Sequence, residues 1–376
     1  MIPYGHQSVD KEDIDSVVDT LKSDWLTTGP EIPAFEQSLC RYTGAKTAVA
    51  VNSATSALDI AVQALELPPG SEIISSPFTF AATNNAIVYN GHVPVFADIR
   101  RETRNIDPDI IRKKITKKTR ALMVVDYAGH PCDLQEIREI ADEYDLRLIE
   151  DAAHALGASY HGKKIGTFAD ITIFSFHPVK PITTGEGGAA MTDDPVLAER
   201  LLLLRSHGIR KHEISADNQA TAWQYDMELL GRNYRLTDIQ AALGLSQMKK
   251  LDLFIRRRNE LARWYNEALS ALSTVELPKI QENVVHGWHL YTILTKTIDR
   301  NGLFGYLRSK GIGVNVHYIP TYRFSYYQKH VMTGYPADVP VTEDVFNRII
   351  TLPLHPGLSD ENMEFILSAV KSYREH

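Results

Sequence analysis

The sequence predicts an α/β protein: a large domain built on a mainly parallel central sheet, followed by a small C-terminal α+β domain. Three observations carry this. Between residues 47 and 192, short apolar runs alternate with helical patterns. The runs are continuous rather than alternating, so both faces of their sheet are covered. Beyond about residue 271 the order changes to strand, helix, strand, strand, helix. The chain has 376 residues and is 44% apolar, enough for a large core and an appended smaller one. Residues 1–250 are assigned to the large domain with an N-terminal helical segment. Residues 251–376 are assigned to a linker helix and the small domain.

Residues 11–22 read as an amphipathic helix with Ile14, Val17, Val18 and Leu21 on one face. Strands are expected at 47–51, 72–76, 93–97, 120–125, 146–150, 170–175 and 188–192. Helices are expected at 54–65, 79–89, 108–116 and 133–144. Residues 194–206 and 236–270 are strongly helical, the second long enough to link two domains. The small domain reads as strand 288–295, helix 301–310, strand 312–317, strand 350–354 and helix 359–374. The Tyr- and Pro-rich segment 319–341 reads as a site-shaping loop.

The net charge is −7 and no long basic block occurs, which disfavours nucleic acid and acidic membrane surfaces as partners. Arg256-Arg257-Arg258 follows a helical pattern and reads as a solvated helix face. The two cysteines, Cys40 and Cys132, sit inside apolar patterns, as in a reducing compartment. The N-terminus lacks the basic and apolar regions of a signal peptide, and no stretch of eighteen apolar residues occurs. The expectation is a cytoplasmic protein.

In doubly wound sheets ligands bind beyond the carboxyl ends of the strands, and four strand ends carry chemistry here. Asn52-Ser53-Ala54-Thr55-Ser56 opens a helix, where free N–H groups and the helix dipole favour phosphate; a plain N-cap is the other reading. Asp151 follows a buried strand, and burial of an acid demands a partner. That partner is a protonated pyridine nitrogen, a helix cap or a metal; the neighbouring His154 fits a structural histidine as well. Ser175-Phe176-His177-Pro178-Val179-Lys180-Pro181 precedes a Gly-rich turn. A lysine so placed forms a Schiff base if its amine is desolvated, whereas most lysines are solvated. Phe80 fits either a ring-stacking or a core position. The run from Gly157 to Lys164 ends in Lys where a P-loop has Ser or Thr, and no G-x-G-x-x-G follows the first strand. His286 and His289 lack further ligands at metal spacing, so no metal site is assigned.

Together these motifs resemble the DegT/StrS family of sugar aminotransferases. The resemblance runs from Leu26-Thr27-Thr28-Gly29 through NSATSAL, PFTFAAT, EDAAHALG, SFHPVKPITTGEGG, Arg205-Ser206-His207-Gly208 and Gly231-Arg232-Asn233-Tyr234-Arg235 to Val316-His317-Tyr318. It implies a type I pyridoxal-phosphate (PLP) aminotransferase fold, with pyridoxamine phosphate as the alternate cofactor form. Lys180 would anchor the cofactor and Asp151 would pair with its ring nitrogen, both as catalytic residues. His154 would lie near the ring hydroxyl, where many members have Gln, and Phe80 would stack on the ring. Ala54, Thr55 and Ser175 would contact the phosphate, and Asn233 the phosphate of a neighbouring subunit's cofactor. The implied assembly is therefore a homodimer with shared sites.

Within the family the likeness is greatest to the branch that aminates UDP-linked 4-keto-6-deoxy N-acetylhexosamines in pseudaminic acid synthesis, with L-glutamate as donor. Gly185 stands where that branch has Ala, and the stretch 210–230 is longer. Tyr4, Asp24, Trp25, Leu26, Thr27, Asn315, Val316, His317 and Tyr318 would then touch the nucleotide sugar. The implied reaction is two half-reactions through one site. Two other readings are a 4-aminotransferase for another nucleotide sugar, such as a dTDP-linked one, and a non-catalytic PLP-binding regulator.

Overall fold

A computed structural model describes residues 1–211, 223–332 and 338–373. The chain begins with α1 (Lys11–Lys22) and α2 (Glu31–Thr43), then β1 (Thr47–Val51), α3 (Ala54–Ala64), β2 (Glu72–Ser75), α4 (Ala81–Tyr89), β3 (Val93–Phe96), α5 (Pro108–Lys114), β4 (Thr119–Val125), α6 (Leu134–Glu143) and β5 (Arg147–Asp151). Two short strands follow, β6 (Ser159–Tyr160) and β7 (Lys163–Lys164), then β8 (Ile171–Ser175), β9 (Gly188–Thr192) and α7 (Pro195–Arg205). A small ribbon, β10 (Ile209–Lys211) with β11 (Tyr225–Met227), leads to α8 (Asp238–Met248) and α9 (Leu251–Leu269).

The central sheet runs β1-β9-β8-β5-β4-β2-β3. Only β9 is antiparallel to its neighbours. Strand alternation explains the continuous apolar runs. Leu122, Val124, Leu148 and Phe174 point to one core with α2, α5, α6 and α8. Met123, Ile149, Ile171 and Ile173 point to a second core with α3, α4 and α7. Full burial of each such side chain stabilises by roughly 1.5–3 kcal/mol. By the same alternation Asp151 and Ser175, the last residues of β5 and β8, share the α3–α4 face, while Glu150 faces the other way.

The expected single helix over 236–270 is two helices. They are separated at Lys249-Lys250, where the Lys250 side chain pairs with Asp10 and the wholly buried Asp13 of α1 at 2.7 Å each. Helix α9 then links the domains. Its first turns, with Leu251, Phe254 and Ile255, pack in the large domain. Leu261, Tyr265 and Leu269 pack in the small one.

The rest of the chain holds β12 (Val275–Glu276), β13 (Val284–Val285), β14 (Tyr291–Thr295), α10 (Arg300–Ser309), α11 (Ser325–His330), α12 (Pro340–Arg348), β15 (Ile349–Leu352) and α13 (Asp360–Ser372); β12, β14 and β15 form the sheet of the small domain, whereas β13 returns to pair with β6 against the large-domain core. Strand β14 begins three residues later than expected, because the backbone at Trp288 turns left-handed at φ 45°. Residues 312–317 are not a strand: they make isolated bridges from Ile312 to Ile2 and from Asn315 to Thr351. The segment read as a loop over 319–341 contains α11 and the start of α12. Asp98 of the large domain caps α12, accepting from the N–H groups of Val341 and Thr342 at 2.8 and 2.9 Å. Part of that segment, part of the 210–230 stretch and residue 374 of the helix expected over 359–374 lie outside the described residues. The first residues of the chain join the small domain, since Gly313 N–H donates to the Ile2 carbonyl and Leu354 N–H to the Tyr4 carbonyl.

Helix α1 forms as expected, closed by a capping box between Asp10 and Asp13. Its polar side faces inward and its apolar side does not: Ile14 is 55% and Leu21 54% exposed. Among the described residues no helix is long and apolar enough to cross a membrane.

Candidate active site

The carboxyl ends of β1, β5 and β8 meet the small domain around a cavity of about 580 Å³. Tyr4, Ala54, Thr55, Phe80, Asp151, His154, Ser175, Lys180 and Asn315 to Tyr318 all line it. Asp24, Trp25, Leu26, Thr27 and Asn233 do not; they are exposed elsewhere on the surface. Phe80 is 60% exposed at the cavity wall and is not a core residue.

The phosphate-like end is built at α3. Ser53 Oγ accepts from Ser56 N–H at 3.1 Å, and the Ser53 carbonyl accepts from Ala57 N–H. The N–H groups of Ala54 and Thr55 are then without partners inside the helix, which is the usual anion-binding arrangement. Gly188 opens β9 directly against them: a Cβ there would lie 2.5 Å from the Ala54 nitrogen. Ser175 faces the same space.

Asp151 and Lys180 face the same cavity and form its charged centre. Thr83 Oγ1 donates to Asp151 Oδ2 at 2.6 Å and Ala153 N–H to Oδ1 at 3.2 Å. Burial pushes Asp151 above the ordinary carboxylate value, against these two donors and the Lys180 charge. Burial lowers Lys180 to about 8, opposed by Asp151. A lysine so shifted supplies neutral amine close to neutral pH. This set fits pyridoxal phosphate: a buried acid for a cationic ring nitrogen, an amine for the aldehyde and a helix N-terminus for the phosphate.

The third wall is aromatic and polar. Ala128 N–H donates to His154 Nδ1 at 3.2 Å, so the neutral ring carries its proton on Nε2. That N–H donates to Tyr318 Oη, 3.1 Å away, leaving the Tyr318 hydroxyl proton for another acceptor. His317 is oriented similarly: Asn315 Nδ2 donates to its Nε2 at 3.3 Å, and its Nδ1 donates to Thr351 Oγ1 at 2.9 Å. Burial lowers His317 to about 3 and His154 well below its usual range, so both are neutral. Thr83, Thr79, Glu186 and His289 also line the cavity and were not assigned from sequence. Thr83, four residues beyond Thr79 on the next helical turn, was the one with a readable signal. Among the described residues no cluster of His, Cys, Asp and Glu is arranged to hold a metal ion.

Behind Asp151, two wholly buried acids, Asp126 and Glu150, hydrogen-bond each other. Burial pushes Asp126 up to about 7 and Glu150 well above the carboxylate range. The pair therefore binds a proton that the unfolded chain releases near pH 4, and its contribution to stability is lost as pH rises through 7. Asp126→Asn keeps the acceptor for Cys132 N–H and removes this penalty. It is expected to stabilise the fold by about 1–3 kcal/mol at pH 8 and by less at pH 5. Urea unfolding at the two pH values checks this; equal effects at both would contradict it.

Residues 7–371 match the model of the DegT/DnrJ/EryC1/StrS aminotransferase family. A UDP-4-amino-4,6-dideoxy-N-acetyl-beta-L-altrosamine transaminase of Campylobacter jejuni is 39% identical over 381 residues, covering 100% of this chain and 98% of that one. The structure of Helicobacter pylori PseC, an aminotransferase of pseudaminic acid biosynthesis, superposes with a TM-score of 0.92 at 35% identity and 98% coverage of both chains. A sugar aminotransferase of Streptococcus pneumoniae, Spr1654, in its PMP form gives 0.92 at 33% identity, covering 99% of this chain and 98% of that one. With the family pattern spanning the domains that enclose the cavity, the chain belongs to the DegT/DnrJ/EryC1/StrS aminotransferase family.

Proposed function

We propose that this aminotransferase uses pyridoxal 5′-phosphate to move the amino group of L-glutamate to the C4 keto group of a UDP-linked 4-keto-6-deoxy N-acetylhexosamine. The observation that carries it is the convergence of Lys180, Asp151 and the α3 N-terminus on one cavity. The names of the Campylobacter and Helicobacter relatives support the sugar.

When bound, the cofactor supplies an aldehyde that takes up the amino group and a ring that delocalises the electron pair left on the substrate carbon. Lys180 Nζ would hold it through the aldehyde carbon. With the donor bound, Lys180 Nζ would be the group that takes up and returns its α-proton. Asp151, whose ionised form the Thr83 hydroxyl and Ala153 N–H favour, would face the ring nitrogen. Ala54 and Thr55 N–H with Ser175 hold the phosphate. The same residues would act on the keto sugar in the second half-reaction. Tyr4, Asn315, Val316, His317 and Tyr318 form the sugar side of the cavity.

The test is a panel of UDP- and dTDP-linked 4-keto sugars with glutamate, with product configuration read by NMR. Amination of the UDP-linked N-acetyl sugar with the highest kcat/KM is expected. Preference for a dTDP sugar would overturn the substrate assignment. No turnover with any of them would favour a PLP-binding regulator.

The working unit in this reading is a homodimer. Ile14, Val18 and Leu21 continue into exposed Trp25 and Leu26, an apolar surface of a kind that subunits bury. Asn233 and residues 24–27 would complete a site across that interface. Leu21→Glu is expected to weaken the dimer about 30-fold or more, with activity falling at dilution. Sedimentation velocity checks this; an unchanged dimer would remove α1 from the interface.

A further inference from the structure

His289 has no role in the chemistry above, yet the structure builds it into the cavity with unusual care. It is 4% exposed and lines the cavity with Lys180 and Tyr318. Its ring lies 4.4 Å from that of His154, tilted by 41°. Its backbone is held from two sides. The residue before it, Trp288, sits at φ 45°, a strained conformation for a bulky side chain that persists only where surroundings over-determine it. Those surroundings are explicit. Trp288 stacks on His286 at 3.8 Å and donates its N–H to His286 Nδ1. The buried Arg258 guanidinium donates to the carbonyls of Trp288 and Leu354 at 3.0 Å and reaches that of His289 at 3.5 Å.

The same turn that orients His154 also seats His289. Ala128, left-handed at φ 59°, gives its N–H to His154. Its carbonyl accepts from Leu290 N–H, and the Gly129 carbonyl accepts from Gly287 N–H. Gly129, at φ 95°, has no room for a side chain: a Cβ would lie 2.7 Å from the His154 carbonyl oxygen and 2.9 Å from the Trp288 nitrogen. Two imidazoles from different domains are thus registered by one turn.

His289 Nδ1 is enclosed and has no hydrogen-bond partner. An orphaned N–H is rarer in protein interiors than an under-used acceptor, so the proton belongs on Nε2. With Nδ1 enclosed, Nε2–H is what the ring offers to the cavity. Burial and the nearby Lys180 charge hold the ring neutral. Next to it, Tyr318 has its hydroxyl proton free because His154 donates to its oxygen.

We propose that His289 is a substrate-binding residue whose Nε2–H, with the Tyr318 hydroxyl, binds the α-carboxylate of the amino donor. The inference rests on the aminotransferase reading. The donor amine must reach the position of Lys180 Nζ, and its carboxylate is attached to the same carbon, so it lies beside that position. No arginine is among the described residues lining the cavity, so within one subunit neutral donors must serve the carboxylate.

The experiment titrates holoenzyme with glutarate, an inert dicarboxylate, by calorimetry. In parallel it measures the glutamate and keto-sugar half-reactions separately by cofactor absorbance. His289→Ala is expected to raise the glutarate Kd and the apparent glutamate constant about 10- to 100-fold. The keto-sugar constant and cofactor retention should change less than about threefold, and His289→Gln, which restores an N–H donor, should recover most of the loss. Equal weakening of both half-reactions, or a lower melting temperature with unchanged glutarate Kd, would assign His289 a packing role and overturn the proposal. If the wild-type cofactor spectrum responds to no amino acid, the aminotransferase reading fails along with it.

Discussion

Lys180→Ala is expected to abolish transamination, leaving turnover at least about 10³-fold below wild type while the protein stays folded. The magnitude follows from two roles on one atom. In the proposed function Nζ anchors the cofactor and takes up and returns the substrate proton. The fold should tolerate the change because Lys180 lines a cavity of about 580 Å³ rather than a packed core. The amine also carries a measurable signature. Burial holds Lys180 at about 8, well below an ordinary lysine. Because the shift is downward, neutral amine predominates above that pH and ammonium below it. In cofactor-free enzyme, competitive acylation followed by mass spectrometry should therefore show Lys180 labelling rise through pH 8, while surface lysines rise two units higher. Lys180 labelling that tracks the surface lysines, or an active Lys180→Ala enzyme, would break the assignment.

What made Lys180 and Asp151 readable in sequence was their placement after strands whose apolar runs admit no solvent face. An acid ending such a run needs a partner, whatever the fold. The seven strands of the central sheet were legible for the same reason, and the α3 N-terminus because small residues follow β1. Other features depend on tertiary pairing that sequence spacing does not encode. The helices α8 and α9 share one apolar period, so the turn at Lys249-Lys250 is invisible until Asp13 is placed beside it. Spacing alone gives His286 and His289 no role beyond a rejected metal pair. Only the docking of the His289 segment on the Ala128–Gly129 turn brings His289 to His154 and separates it from His286, which faces Trp288 instead. Asp24 to Thr27 and Asn233 fall outside the cavity, so their expected roles rest on the homodimer proposed above, which the exposed apolar face of α1 supports. The α11–α12 region read as a loop because its Tyr- and Pro-rich sequence lacks a helical apolar stripe. Those helices are set by tertiary partners instead, Asp98 capping α12 from the other domain.

Asp151→Asn should lower turnover at least about 10²-fold with the protein folded, and Thr83→Val should fall between it and wild type. The order follows from what each change removes. Asparagine occupies the same volume and still accepts from Thr83, so packing is preserved and the loss is one of charge. A buried ion pair broken by removing one partner costs about 3–5 kcal/mol, which at 1.36 kcal/mol per tenfold corresponds to about two to four decades. Thr83→Val leaves the charge but takes away the 2.6 Å donor to Oδ2, a loss of about 1–3 kcal/mol. The two variants also differ in pH dependence. Burial already raises the Asp151 pKa, and the Thr83 hydroxyl opposes that rise. Without the hydroxyl the carboxylate takes up a proton at still higher pH, so the acid limb of kcat/KM should move upward in Thr83→Val. In Asp151→Asn the group that titrates is gone, and that limb should vanish from a uniformly low profile. If Asp151 were only a helix cap or a structural acid, both variants would lose stability while keeping the wild-type profile. The acid limb, rather than the rate alone, therefore decides whether the carboxylate acts on the ring nitrogen.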